Sequence, residues 1–286
     1  MQTFLDSAAQ ELEKPPTAVV LDSLQAAWDH SVATVLRANP EAKVFSIYVA
    51  TRSLSQQLQL IDSHQESLEH EPELLPKALD YFSIRSAHSF PDTLIFNHDC
   101  MQKYELLFRF NFCLASLHRE LSTKTAGAGC PKPLAKRYLL LRRQLLHFVQ
   151  NLRQYLAYEV LEPNWGRFME ALSKAKGLDA IASCHAQLLD SCLRQATLTN
   201  VKLIKRLYAL FGHCRQFLAL EVSTGGLLET KLAAIQGAFT KSLRGFLEAL
   251  QYFSSRDYDY HLGTLFSRMD YNSFYYAASY GDPAVA

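Results

Sequence analysis

Residues 148–165, FVQNLRQYLAYEVLEPNW, place the tightest constraint on how this chain can fold. An amphipathic helix runs into Glu162-Pro163, where proline offers no backbone N–H and its ring strikes the preceding turn. The helix is therefore expected to break there, with Pro163 and Trp165 forming a structural elbow. Upstream, the apolar positions 138, 141, 145, 148, 152 and 155 recur at three-four spacing. A second stripe, Leu139, Leu146, Val149, Leu156 and Val160, makes the helix apolar on two sides, as burial between neighbours requires. If Trp165 is buried at the elbow, truncating it to alanine would cost about 3–5 kcal/mol.

The same periodicity extends along most of the chain and predicts an all-α fold, an elongated stack of antiparallel helical bundles. Helices are expected over 4–13, 20–37, 53–69, 98–121, 134–161, 165–176, 178–198, 201–222, 227–253 and 260–275. Pro15-Pro16, Pro40, Gly177, Thr199-Asn200 and Gly225-Gly226 punctuate them. Asn97 is a fitting N-cap for the helix that follows it. Two short segments, 43–50 and 82–96, read as extended. With 49% hydrophobic and 12% aromatic residues, a chain of 286 can bury a large core.

Whole-molecule charge selects no partner, because the net charge is +1. Its distribution is less even: residues 1–80 carry five Lys/Arg against twelve Asp/Glu, whereas 101–160 carry ten against three. The basic stretch has two readings, a docking surface for an acidic partner or a solvated helix face. No apolar run approaches the ~18 residues of a membrane span, so membrane insertion is not expected. The opening residues have neither the basic nor the apolar region of a secretory signal. Six dispersed cysteines without a CxxC pair fit reduced thiols better than a disulfide framework.

No catalytic constellation emerges: there is no P-loop, GxGxxG, HExxH or GxSxG. Glu159 and Glu162 lie one turn apart at a helix end, where bracing outweighs a paired-carboxylate role. His185 stands beside Cys184, with Cys192 two turns on, but no fourth ligand completes a metal site. A core histidine hydrogen-bonded to a neighbouring helix is the expectation instead. Cys100, Cys113 and His118 fail on the same ground. Lys132, Lys136, Arg137, Arg142, Arg143 and Arg153 could follow a phosphate backbone, yet the nearby aromatics occupy inward stripes, so nucleic acid is not expected. No cofactor or metal is expected.

Four segments carry a resemblance: IFNHDCMQKYELLFRFNF at 95–112, FVQNLRQYLAYEVLEPNW at 148–165, HAQLLDSCLRQATLTN at 185–200 and SRMDYNSFYY at 267–276. With the opening FLDSAAQELEKP they resemble, in order, the C-terminal conserved domain of the gamma-tubulin complex proteins. The resemblance implies a single helical domain over 1–286: entry helices and extended segments to residue 96, a main bundle over 97–276 and a tail over 277–286. It implies a non-catalytic scaffold that binds gamma-tubulin and sits beside other complex components of the component 3 type. Such complexes template microtubules at microtubule-organising centres and spindle poles in the cytoplasm, and their GTP belongs to gamma-tubulin.

Candidate contacts follow from the matched motifs. Arg268, Asp270 and Asn272 lie in the terminal motif and read either as gamma-tubulin contacts or as a C-terminal clamp on the bundle. Arg142, Arg143 and Arg153 read as electrostatic steering groups or as a solvated face. The family's N-terminal half is not in this sequence, and the loops at 122–133 and 222–227 are short for it. Met269 and Tyr271 stand where the family usually has Leu and Phe. A fragment, a truncated gene model and a shortened paralogue that binds gamma-tubulin without entering a ring all remain open, as does a helical adaptor or tether with another partner.

Overall fold

The computed structural model describes residues 2–15, 18–36, 45–54, 56–57, 81–86, 88–125, 131–220, 226–257, 260–271 and 275. The chain is all-α apart from one small hairpin. In order, the elements are α1 (Gln2–Ser7), α2 (Ala9–Leu12), α3 (Leu21–Leu36), β1 (Phe45–Val49), β2 (Phe82–Ser86), α4 (His98–Thr123), α5 (Lys132–Tyr155), a π-helical turn (Leu156–Leu161), α6 (Glu162–Lys174), α7 (Leu178–Gln195), α8 (Val201–Leu218), α9 (Gly226–Asp257) and α10 (Tyr260–Met269). Of the expected extended segments, 43–50 contains β1, but only the start of 82–96 is a strand, and Asp92–Leu94 forms a 3-10 turn. Most of the helix expected over 53–69 lies outside the described residues, as do 277–286.

Two compact units make up the chain, and each is discontinuous in sequence. The first comprises Met1–Ser116 with Leu161–Leu193, and the second Leu117–Val160 with Arg194–Ala286. Helix α4 belongs mostly to the first unit and ends in the second.

The first unit has an aromatic centre. Phe82, the first residue of β2, is fully buried and stacks on Phe4 at 5.2 Å and on Phe112 at 4.6 Å. Phe108 and Trp28 close around it at 5.9 and 6.4 Å. Strand alternation explains the choice: β2 pairs antiparallel with β1 in the register Val49↔Phe82 to Phe45↔Ser86. Alternate residues must therefore share a face. The hairpin is tied to α3 by the Ile47 N–H, which donates to Gln25 Oε1 at 3.0 Å. Buried Arg109 of α4 donates to Gln57 Oε1 and the Arg52 carbonyl, both at 2.7 Å, which anchors the segment after β1.

The second unit is built on α5. Tyr138, Leu141, Leu145, Phe148, Leu152 and Tyr155 are all buried, as the three-four spacing requires. Phe148 meets Phe239 of α9 at 5.8 Å, and Tyr138 meets Phe217 of α8 at 4.7 Å. Helix α9 packs against α8 and α10. Asn200 caps α8 by accepting from the Lys202 and Leu203 N–H groups, and Asn97 accepts from the Cys100 N–H at 2.8 Å.

The expected break at Pro163 does not occur. Residues 132–174 stay helical, with one π turn over Leu156–Leu161 and Pro163 in the first turn of α6. A first-turn proline needs no N–H donor, and a widened π turn before it relieves the clash between the ring and the carbonyl one turn back. The second expected stripe holds only in part: Val149, Leu156 and Val160 are buried, whereas Leu139 is exposed.

Because Phe82 touches four aromatic rings, Phe82→Ala should cost about 3–5 kcal/mol. Urea unfolding of the full chain checks this, and a loss under about 1 kcal/mol would contradict the packing account.

Candidate protein-binding surface

Most of the singled-out polar side chains are consumed by the structure that holds them. Arg142 of α5 is half-buried and donates from Nη1 to the Lys124 carbonyl at 2.6 Å, while Lys124 Nζ donates to the Leu218 carbonyl at 2.8 Å. Arg153 is partly buried, and burial lowers its pKa. It stands near His118, whose pKa is held down first by burial and then by that guanidinium.

Arg268 of α10 pairs with Glu159 in the π turn, and its carbonyl accepts from Asn151 Nδ2 at 3.5 Å. Asp270 is only 5% exposed and accepts the Tyr275 N–H at 3.0 Å. Asn272 lies outside the described residues. Buried Tyr155 adds to the same region, its hydroxyl donating toward the Gln195 carbonyl at 2.9 Å and the His261 carbonyl at 3.3 Å.

Pro163 and Trp165 lie in the first unit. Trp165 is 53% exposed and rests on Phe168 at 5.4 Å, while its neighbour Asn164 is buried. The elbow expected at Pro163 and Trp165 does not form, and the burial on which a large truncation cost depends is not met. On a helix that does not break, position 165 follows the outward row of α6.

His185 is a buried core histidine. Its Nε2 lies 2.8 Å from the Tyr104 hydroxyl, and Phe96 and Phe168 pack on the ring at 5.1 and 6.1 Å. Burial pushes its pKa down, opposed in part by the Ile95 carbonyl. Burial also raises the Tyr104 hydroxyl to about 12 and the Cys192 thiol to about 11, leaving both protonated and unreactive near neutrality. Among the described residues, no cluster of His, Cys, Asp and Glu could hold a metal ion, and Cys100, Cys113, Cys184, Cys192 and Cys214 are free thiols.

What remains outward on α5 forms a mixed surface. Lys136, Leu139, Leu140, Arg143 and His147 are exposed, and Tyr158 of the π turn follows at 66% exposure. Leu140 is 54% exposed, and large apolar groups bared beside cations mark protein-contact surfaces. Arg143 is the steering candidate that this face presents to solvent. Sequence reasoning puts Leu139 on a buried stripe and passes over Leu140 and Tyr158, although a signal existed. With Tyr138 and Leu141 both inward, the intervening pair at ~100° per residue must face away. No described helix is long and apolar enough to cross a membrane.

Fold and surface thus define an all-α protein in which several charged side chains are tied internally, while α5 presents a mixed apolar and basic face. The chain belongs to the gamma-tubulin complex component family: residues 1–275 match the family model described as gamma tubulin complex component C-terminal. It is 31% identical over 229 residues to gamma-tubulin complex component 2 of Mus musculus, covering 75% of this chain and 25% of that protein. It is 28% identical over 224 residues to gamma-tubulin complex component 2 of Arabidopsis thaliana, covering 76% and 33%. It is 24% identical over 330 residues to the spindle pole body component alp4 of Schizosaccharomyces pombe, covering 89% and 42%. The chain therefore spans between a quarter and two-fifths of the length of these relatives.

Two outcomes follow. Trp165→Ala should change stability by less than about 1 kcal/mol, since surface substitutions cost little; a loss of about 3 kcal/mol would restore the buried elbow. The native pKa values of His185 and His118 lie below the ~6.5 of an unfolded imidazole. Between those values the unfolded chain binds more protons, so stability falls as pH drops below ~6.5. His185→Gln with His118→Gln should flatten this decline in urea unfolding followed from about pH 7.5 to 5.5, and an unchanged slope would contradict it.

Proposed function

We propose that this chain binds gamma-tubulin through the outward face of α5 and serves as a non-catalytic scaffold in a gamma-tubulin complex that nucleates microtubules. The carrying observation is that face itself. Lys136 and Arg143 flank the exposed Leu139 and Leu140 on a helix whose opposite side is locked in the core. Tubulins are acidic, so cations around an apolar patch match that partner in charge and leave the leucines to supply contact area. Family membership supports the reading, as do the names of the relatives, which are components of gamma-tubulin complexes and of a spindle pole body. Those names also support a place at microtubule-organising centres, beside other complex components such as the component 3 type.

Arg142, Arg268 and Asp270 enter this proposal as supports of the surface rather than as its contacts, because each bonds a group inside the second unit, and Arg153 is set beside them because it is partly buried. Reversing Arg142 would release the Lys124 carbonyl and disturb the fold. Lys136→Glu with Arg143→Glu isolates the docking role, since both side chains are exposed.

Purified full chain should bind gamma-tubulin saturably at micromolar concentration. The double reversal should weaken binding by at least about tenfold at low salt and less at high salt. No saturable binding, or an affinity indifferent to both the reversal and ionic strength, would overturn the proposal.

A further inference from the structure

Helices α8 and α9 of the second unit leave an open groove of about 880 Å³. Its walls include Arg206 from α8 and Ala233, Gly237, Lys241, Arg244 and Glu248 from α9. Positions 233, 237, 241 and 245 form one row along α9, since a four-residue step keeps nearly the same azimuth. Three cations and one carboxylate thus rim a floor of small residues.

Two glycines in this row behave differently. A Cβ at Gly245 would lie 2.5 Å from Arg206 Nη1, which donates to the Gly245 carbonyl at 2.7 Å. Gly245 is therefore explained within the unit, because it lets Arg206 reach across to α9. Gly237 has no such reason: a Cβ there would meet nothing within 4 Å. Glycine is a poor helix former, and it stands far inside the 32-residue α9 at a position where any side chain would fit. What its absence of side chain provides is a bare stretch of backbone that another helix can approach closely.

The charge around that bare stretch selects the visitor. Arg206 is fixed across the groove, and Lys241 forms no ion pair among the described residues. Glu248 at one end would repel a phosphate backbone running the length of the row, and no aromatic lines the groove for base stacking. A helix carrying carboxylates at four-residue intervals repeats about every 6 Å, the spacing of one turn along α9.

We propose that this groove docks an acidic helical segment of a partner protein, with its backbone close to Ala233 and Gly237 and its carboxylates on Arg206, Lys241 and Arg244. The groove shares no residue with the α5 face, so the two surfaces can be occupied independently.

Fluorescence anisotropy of the full chain with a labelled helical peptide of about 16 residues, rich in Ala, Leu and Glu, tests this directly. A labelled single-stranded oligodeoxynucleotide of similar length serves as a competitor. The peptide should bind saturably and more weakly as salt rises. Gly237→Leu, which fills the floor at a site with open space, and Lys241→Glu, which inverts the rim, should each weaken it by about tenfold or more. Gly237→Leu should melt no lower than the parent chain, so that lost binding reports the groove. Lys136→Glu with Arg143→Glu should leave peptide affinity unchanged. Absent binding, indifference to Gly237→Leu and Lys241→Glu, equal loss on reversing the α5 charges, or displacement by the oligodeoxynucleotide at matching affinity would each overturn the proposal.

Discussion

The inward row of α5 is the contact on which the rest of the second unit depends. Each of its buried Tyr, Leu and Phe side chains contributes about 1.5–3 kcal/mol by leaving water. The row also fixes the rotation of the helix about its axis. Once Tyr138, Leu141 and Leu145 point inward, Lys136, Leu140 and Arg143 have no other direction than outward. The face proposed to meet a partner is thus a by-product of core packing. It is held in place without any loop having to order on binding.

Polar groups follow the same logic. Arg109 closes on Gln57 and Arg52, Arg142 on Lys124, Arg268 on Glu159, and Asp270 on the Tyr275 N–H. Buried donors and acceptors must find partners, since leaving one unmade costs about 1–3 kcal/mol. In this chain those partners are other parts of the fold. Burial likewise raises the Tyr104 hydroxyl and the Cys192 thiol and lowers the His185 imidazole.

Periodicity made much of the fold legible. The six-position stripe of α5, the Asn97 cap, the strand near 45–49 and the free thiols could all be read from residue types and spacing. Three things could not. A proline in a helical run signals a broken hydrogen bond, but whether the chain breaks or widens into a π turn depends on packing around Leu156 and Val160, not on Pro163. Trp165 reads as part of an elbow that could bury it, yet an unbroken helix carries it outward. Arg142 reads in sequence as a steering group or a solvated face, and Arg268 and Asp270 as partner contacts or a clamp, with nothing in residue type to choose between them. Spacing reveals which residues share a face, not which cation folds back onto a carbonyl of its own unit. The groove between α8 and α9 was hidden for a related reason, since Gly237 and Gly245 look alike in sequence and only the geometry of Arg206 tells them apart.

The outward side of α5 is proposed as a contact surface on a frame that does not itself rearrange. Hydrogen exchange of the full chain, alone and saturated with gamma-tubulin, measures this amide by amide. Slower exchange concentrated over residues 132–158, with the His185 region of the first unit unchanged, is the predicted result. Protection confined to the first unit, or faster exchange spreading through the buried row of α5 on binding, would contradict it.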